Sequence, residues 1–200
     1  KYIIVEKPFI WLKNSEKKIN TYKIASNLLV KLKKKILINL PMISLASQLL
    51  EKREIPKKVR ILKFMYFTKG KQNYKNIAVD LLPHAISFIL VINGNFLKNF
   101  KIKSVKVDKL KWSCKIIINN VICYFLFTQS KERKESSLSF KLNKDLYKRN
   151  QKLSNGEYIN TINKNKRKII NIKNPMTEYL NLLLNNFKNP KNIELNHRLV

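Results

Sequence analysis

The strongest constraint on how this 200-residue chain can fold is an alternation running from Leu110 to Phe127. Leu110, Trp112, Cys114, Ile116 and Ile118 share one parity, with Lys111, Ser113 and Lys115 between them. Successive side chains of a strand point to opposite faces, so a period of two predicts a strand with one buried face. Asn119-Asn120 then offers a two-residue turn, and Val121, Cys123, Phe125 and Phe127 carry the same face back. With that turn Ile118 opposes Val121, Ile116 opposes Cys123 and Cys114 opposes Phe125. Lys109 to Phe127 is therefore expected as a β-hairpin with Trp112, Cys114, Cys123 and Phe125 largely buried.

Both cysteines of the chain fall in this hairpin. Zinc sites place cysteines two to four residues apart, with a second pair or histidines nearby. Here eight residues separate the two, and His84 and His197 stand alone in the sequence. The pattern predicts two small core hydrophobes and no metal. A disulfide between diagonal neighbours stays open.

Upstream, "YIIVEKPFIWL" reads as a short strand, after which Asn14 and Ser15 cap a helix. Tyr22, Ala25, Leu29, Leu32 and Ile36 form its apolar stripe, and Lys33, Lys34 and Lys35 come late in it. Asn39 and Pro41 start a second, shorter helix carrying Ile43, Ala46, Leu49 and Leu50. From Lys57 the period changes to two, with Val59, Ile61, Met65 and Phe67 on one face, followed by the basic turn "TKGKQN". Ile77 to Leu82 fits strand or helix. Pro83 either opens a helix ending at Asn93-Gly94 or precedes a strand, "AISFILVI", that enters an Asn-Gly hairpin, and β-branched content favours the strand.

Beyond Phe127, "TQSKERKESS" is a polar loop, and Asn150 to Asn174 is low in complexity with little apolar surface. Asn174-Pro175 caps a helix whose stripe is Met176, Tyr179, Leu183 and Phe187. An isolated helix of this length is marginal in water, so Tyr179, Leu183 and Phe187 are expected to bind a partner surface, on the body or on a neighbouring protein. The fold class expected is α+β: a small antiparallel sheet with N-terminal amphipathic helices, a basic C-terminal extension and a terminal helix. The boundaries are 1–149 for the body, 150–174 for the extension and 175–200 for the helix and tail.

Charge bears on partners. The net formal charge is +30, from 42 Lys and Arg against 12 Asp and Glu, which points to a polyanion. Counts of 36 Lys, 25 Asn and 25 Ile also indicate A+T-rich codon usage of the kind found in organelles and parasites, so part of the lysine excess is drift. The most apolar segment, Leu81 to Ile92, is core-length and too short to span a bilayer.

Catalytic patterns are sparse. Three glycines, Gly70, Gly94 and Gly156, leave no phosphate-cradling loop. His84 follows Pro83 inside an apolar run, which predicts a core or turn role, and no catalytic residue, cofactor or small-molecule substrate is expected. The lysines cluster where a scaffold presents phosphate contacts: Lys33, Lys34 and Lys35; Lys57, Lys58 and Arg60; Lys69 and Lys71; Lys164, Lys166, Arg167, Lys168 and Lys173. A small basic body with a basic extension has the general build of a ribosomal protein. The expected function is therefore a structural, non-enzymatic component of an organellar, mitochondrial ribosome. Its expected partners are rRNA and neighbouring ribosomal proteins. Two rivals are a peripheral subunit of an organellar membrane complex and a divergent nucleic-acid-processing enzyme that uses Asp108 and Glu132.

Overall fold

The computed structural model describes residues 3–5, 27, 31, 36–70, 74–94, 98–132 and 135–186. Strands β1 (Ile3–Val5) and β2 (Ile36–Ile38) pair in parallel. Helix α1 (Met42–Glu51) follows, then strand β3 (Ile61–Lys69) and helix α2 (Tyr74–Ile92). The remaining strands are β4 (Phe100–Asp108), β5 (Lys111–Ile118), β6 (Val121–Ser130), β7 (Ser137–Leu142), β8 (Asp145–Ser154), β9 (Glu157–Lys164) and β10 (Lys168–Ile172), and helix α3 (Pro175–Asn186) closes the described chain. Lys33, Lys34, Lys35, Lys71, Phe187 and His197 lie outside the described residues. Of the helix expected over Tyr22–Ile36, Asn27 and Lys31 are helical and exposed, and Ile36 begins a strand instead.

The hairpin stands where the alternation put it. Cys114 pairs with Phe125, Ile116 with Cys123 and Ile118 with Val121. The turn residues Asn119 and Asn120 both adopt positive φ, 48° and 68°. Asparagine tolerates the left-handed region better than most residues, which is why this pair can turn so tightly. Both thiols are free and buried, and burial pushes each up to about 12, so they pack as apolar groups. Trp112 is half-buried and stacks on Phe127 at 5.4 Å.

Its surroundings overturn the expected small antiparallel sheet. Eight strands form one mixed sheet in the order β10-β9-β8-β7-β3-β6-β5-β4, in which β3 and β6 run parallel and every other neighbouring pair is antiparallel. A parallel pair needs a long crossover, and α2 lies within it, packed on β3, β5 and β6. The helix prevails over the β-branched content of 86–92 because Ile77, Leu81, Ala85 and Phe88 recur at helical spacing and are all buried. Because α2 packs on α1 as well as on the sheet, it is apolar nearly all round.

On β3 the buried parity is the reverse of that expected. Leu62 and Phe64 are fully buried, whereas Ile61 is exposed. Phe64 lies 5.6 Å from Phe88 and 6.4 Å from Phe125 between ring centroids, and Phe88 lies 4.7 Å from Phe140, which stacks on Tyr147 at 4.9 Å. This aromatic layer joins α2 to four adjacent strands.

The expected basic extension is folded. Residues 150–174 contribute to β8, β9 and β10, and Asn155 and Gly156 make the β8–β9 turn with φ of 51° and 79°. The segment lacks a core of its own and does not need one, since Ile162, Ile170 and Ile172 extend the buried face of the sheet while its backbone extends the ladder. Tyr179 and Leu183 are buried within the chain, and α3 packs on α1.

Two of the presumed RNA-contacting lysines are committed inside the protein. Lys168 Nζ binds the Glu54 carboxylate, and Lys164 Nζ lies 3.6 Å from Glu54 Oε2 and donates to the Glu54 carbonyl at 3.0 Å. Tyr147 Oη donates to the same carbonyl at 2.6 Å. The group ties the loop after α1 to β8, β9 and β10. The Lys168 hydrogen bond holds the Glu54 carboxyl below its ordinary value of 4.5; burial opposes this, and the charges of Lys168 and Lys164 add to the lowering. A lowered value means that the stabilisation is complete above 4.5 and is lost as pH falls through the lowered value. Glu54→Gln is expected to cost about 1.5–3 kcal/mol at neutral pH, the range for a charged hydrogen bond, and to flatten the acid limb of stability measured by urea melts. An acid limb as steep as that of the unsubstituted protein would show that Glu54 is not the titrating group.

Candidate active site at the carboxyl end of the parallel strands

In sheets with parallel strands and crossover helices, ligands bind outside the carboxyl ends of those strands. Here that end is where β3 runs out through Tyr66, Thr68 and Gly70 and α2 begins. Asp80 and His84 stand four residues apart on α2, hence one turn apart on one face. His84 is buried and Asp80 half-buried. The His84 and Tyr66 rings are 6.0 Å apart between centroids, tilted by 53°.

The same face carries polar side chains two strands away. Phe64, Phe140 and Tyr147 form one cross-strand row through β3, β7 and β8. Two residues further along, Tyr66 pairs with Leu138, and Arg149 follows Lys148, the last β8 residue paired with β7; continuing that register puts Tyr66 and Arg149 about 10 Å apart at the usual strand spacing. Arg149 Nε donates to Asn160 Oδ1 at 3.3 Å and its Nη2 donates to Gln151 Oε1 at 2.8 Å. Asn160 is itself buried and donates to the Tyr158 carbonyl at 3.1 Å.

These groups sense one another. Burial raises the Tyr66 phenol above its ordinary range, the Arg149 charge pulls against that rise, and Asp80 adds to it. Burial likewise lowers Arg149. Beside them Gln129 is buried against Gly70, where an added Cβ would collide with Gln129 Nε2, so only glycine fits without displacing that amide. An imidazole with a carboxylate one turn away, a phenol and a guanidinium on one half-sheltered face can orient a polar substrate and move a proton.

Most of the expected site lies elsewhere. Lys57, Lys58 and Arg60 are exposed in the loop that enters β3, where Asn143 Nδ2 donates to the Lys58 carbonyl at 2.8 Å. Lys166 and Arg167 are exposed in the β9–β10 turn. Both groups are at the amino end of β3, opposite His84. Lys69 is exposed at the carboxyl end, and Lys173 pairs with Glu178 at 3.6 Å. Asp108 and Glu132, the pair on which the nuclease alternative depended, are not among the groups brought to the site; Asp108 Oδ1 accepts from the Lys109 amide. Among the described residues no group of three or more His, Cys, Asp or Glu could hold a metal ion, and no helix is long and apolar enough to cross a membrane. The signal that sequence reading missed is the four-residue step from Asp80 to His84.

No protein-family model matches the chain, and no curated protein matches it. Solved structures do. A dehydrogenase (MviM) from Clostridium difficile matches with a TM-score of 0.60 at 9% identity, over 94% of this chain and 63% of that one. KijD10, a 3-ketoreductase from Actinomadura kijaniata in complex with TDP-benzene and NADP, matches with a TM-score of 0.58 at 9% identity, over 100% of this chain and 67% of that one. A Gfo/Idh/MocA family oxidoreductase from Vibrio cholerae matches with a TM-score of 0.54 at 10% identity, over 98% of this chain and 66% of that one. At these identities the likeness is one of fold. The chain spans about two thirds of the length of each of these three.

This finding overturns the ribosomal reading. The three solved structures named above, which share the fold, are dehydrogenases or oxidoreductases, and the expectation of a non-enzymatic rRNA-binding component is corrected accordingly. The rRNA and ribosomal-protein partners, the exclusion of a small-molecule substrate and the organellar-ribosome location rested on that reading and fall with it. Net charge misled because it records how many lysines are present and not whether they face a partner. Lys63 and Lys115, for example, lie over the Tyr124 ring on the open face of the sheet, at 5.7 and 5.4 Å from its centroid.

Proposed function

We propose that this chain forms the substrate side of an oxidoreductase that interconverts a secondary alcohol and its ketone. The observation that carries the reading is the Asp80/His84 pair facing Tyr66 at the carboxyl end of β3, in a fold shared with a dehydrogenase and a 3-ketoreductase. Interconverting alcohol and ketone moves a hydride at carbon and a proton at oxygen. His84 serves the oxygen, taking the hydroxyl proton in oxidation and returning it in reduction. Asp80, one turn away on the same helix face, orients the imidazole, and the Tyr66 phenol, its titration raised by burial, donates a hydrogen bond to the same oxygen.

The hydride chemistry would have to come from a group such as a nicotinamide, of the kind KijD10 binds as NADP. The described residues do not fit its diphosphate. Gly70, Gly94 and Gly156 stand in three separate turns, and no glycine-rich turn leads into the start of a helix among them. The residues here account for the proton and for substrate orientation alone.

The test is turnover by the native protein, isolated with whatever accompanies it. In the presence of a hexose alcohol or ketone it is expected to interconvert NAD(P)+ and NAD(P)H, read as nicotinamide absorbance. Absence of turnover with either nucleotide across hexoses, hexuronates and hexose phosphates would sink the reading.

A further inference from the structure

Arg149 is, among the described residues, a sheltered cation without a counter-ion. Among the described residues no carboxylate lies within ion-pair distance of it, and its two protein acceptors, Asn160 Oδ1 and Gln151 Oε1, are neutral amide oxygens. A guanidinium has five N–H donors. Two are engaged here, which leaves three free, both of those on Nη1 among them. Removing a cation from water without pairing it costs free energy, so such a group is retained where an anion completes it.

The shape of the surroundings favours a ligand over a structural role. Asn160 is buried and anchored to the Tyr158 carbonyl, and it fixes Nε, while Gln151, two residues on along the same face of β8, fixes one Nη2 proton. The guanidinium plane is thereby held by one edge, with the Nη1 side left over. A guanidinium held in this way presents parallel donors, the geometry that binds a carboxylate or phosphoryl group with two bonds. Tyr66 and His84 stand on the same face, two strands across, so an anion on Arg149 and a carbinol at His84 can belong to one molecule the size of a substituted sugar.

We infer that Arg149 is a specificity-determining residue that selects substrates bearing an anionic group, carboxylate or phosphoryl, several bonds from the carbon that reacts. This rests on the alcohol–ketone reading of the site and deepens it by naming the substrate class. Glu54, the nearest comparison in the fold, shows the alternative: there two lysines already satisfy the buried charge, and no ligand is called for.

The experiment is calorimetric titration of the full chain with glucose, glucuronate and glucose 6-phosphate, three probes that differ only at C6. One anionic sugar is expected to bind at least tenfold more tightly than glucose. Glucuronate as the tighter ligand identifies a carboxylate subsite, and glucose 6-phosphate a phosphoryl subsite. Arg149→Met should bring the ratio to about one, with Arg149→Lys between the two, since lysine keeps the charge and loses the fork. Arg167→Met, which removes the same charge from an exposed turn, should leave the ratio unchanged and so separates Arg149 from general attraction to a chain of net charge +30. No preference for either anion, a preference that survives Arg149→Met, or an equal loss in Arg167→Met would overturn the inference. None of these outcomes bears on the alcohol–ketone reading, which turnover decides.

Discussion

Replacing His84 by asparagine is expected to lower turnover by the native protein about 10²- to 10⁴-fold, the usual contribution of a positioned general acid or base. His84 is buried on α2, and the ring it faces belongs to Tyr66 on β3, so its surroundings are set by two packed elements rather than by a loop. A merely structural histidine would behave differently. Asparagine in its place would then cost stability, and activity would fall only as far as the folded fraction fell. Measuring kcat and the melting temperature on the same preparation separates the two roles, because a proton-transfer role predicts a large loss of kcat with melting shifted by only a few degrees. Asp80→Asn should lose less, since Asp80 acts through the imidazole and does not touch the reacting oxygen. A kcat for His84→Asn within threefold of the unsubstituted protein would remove His84 from the chemistry.

The parts of this architecture that could be read from residues are those in which one element carries both halves of its own evidence. In the β5–β6 hairpin the alternation and the Asn119-Asn120 turn lie in one stretch, so the register followed directly. The β8–β9 hairpin had the same kind of signal at Asn155-Gly156, but lysine and asparagine fill its outward positions and only a few isoleucines face inward. A strand that joins an existing sheet needs little apolar surface, because its neighbours already supply the core and the ladder. Judged as an isolated segment, it looks unable to fold.

The site was hidden for a related reason. Asp80 and His84 are informative only once their segment is a helix, since four residues make one turn there, while in a strand the same step carries them far apart. Arg149 lies within β8 in a row shared with Tyr66, 83 positions earlier in the chain, and only the sheet order reveals that they share a face. Long-range strand order leaves no local mark on composition. The lysine clusters did leave such a mark, and two of those lysines serve Glu54.

Phe88→Ala is expected to produce the largest loss of stability in the described core, about 3–5 kcal/mol. Phe88 is fully buried where α2 meets β3 and β7, with Phe64 at 5.6 Å and Phe140 at 4.7 Å between centroids. Removing the ring deletes its buried surface and leaves a cavity bounded by two other rings, each held by further neighbours: Phe64 by Phe125 and Phe140 by Tyr147. Such a wall collapses poorly, which puts the cost in the upper part of the range for large-to-small changes. Phe88→Leu, which keeps most of the volume, should cost less than half as much. Phe88 is also one helical turn beyond His84, so loosening it releases the segment that positions the imidazole against Tyr66. Urea melts give the stability, and the His84–Tyr66 contact can be followed separately by nuclear Overhauser effects between the two rings. A cost below about 1 kcal/mol would mean that the aromatic layer is not packed as described, and that the placement of His84 against β3 must rest on other contacts.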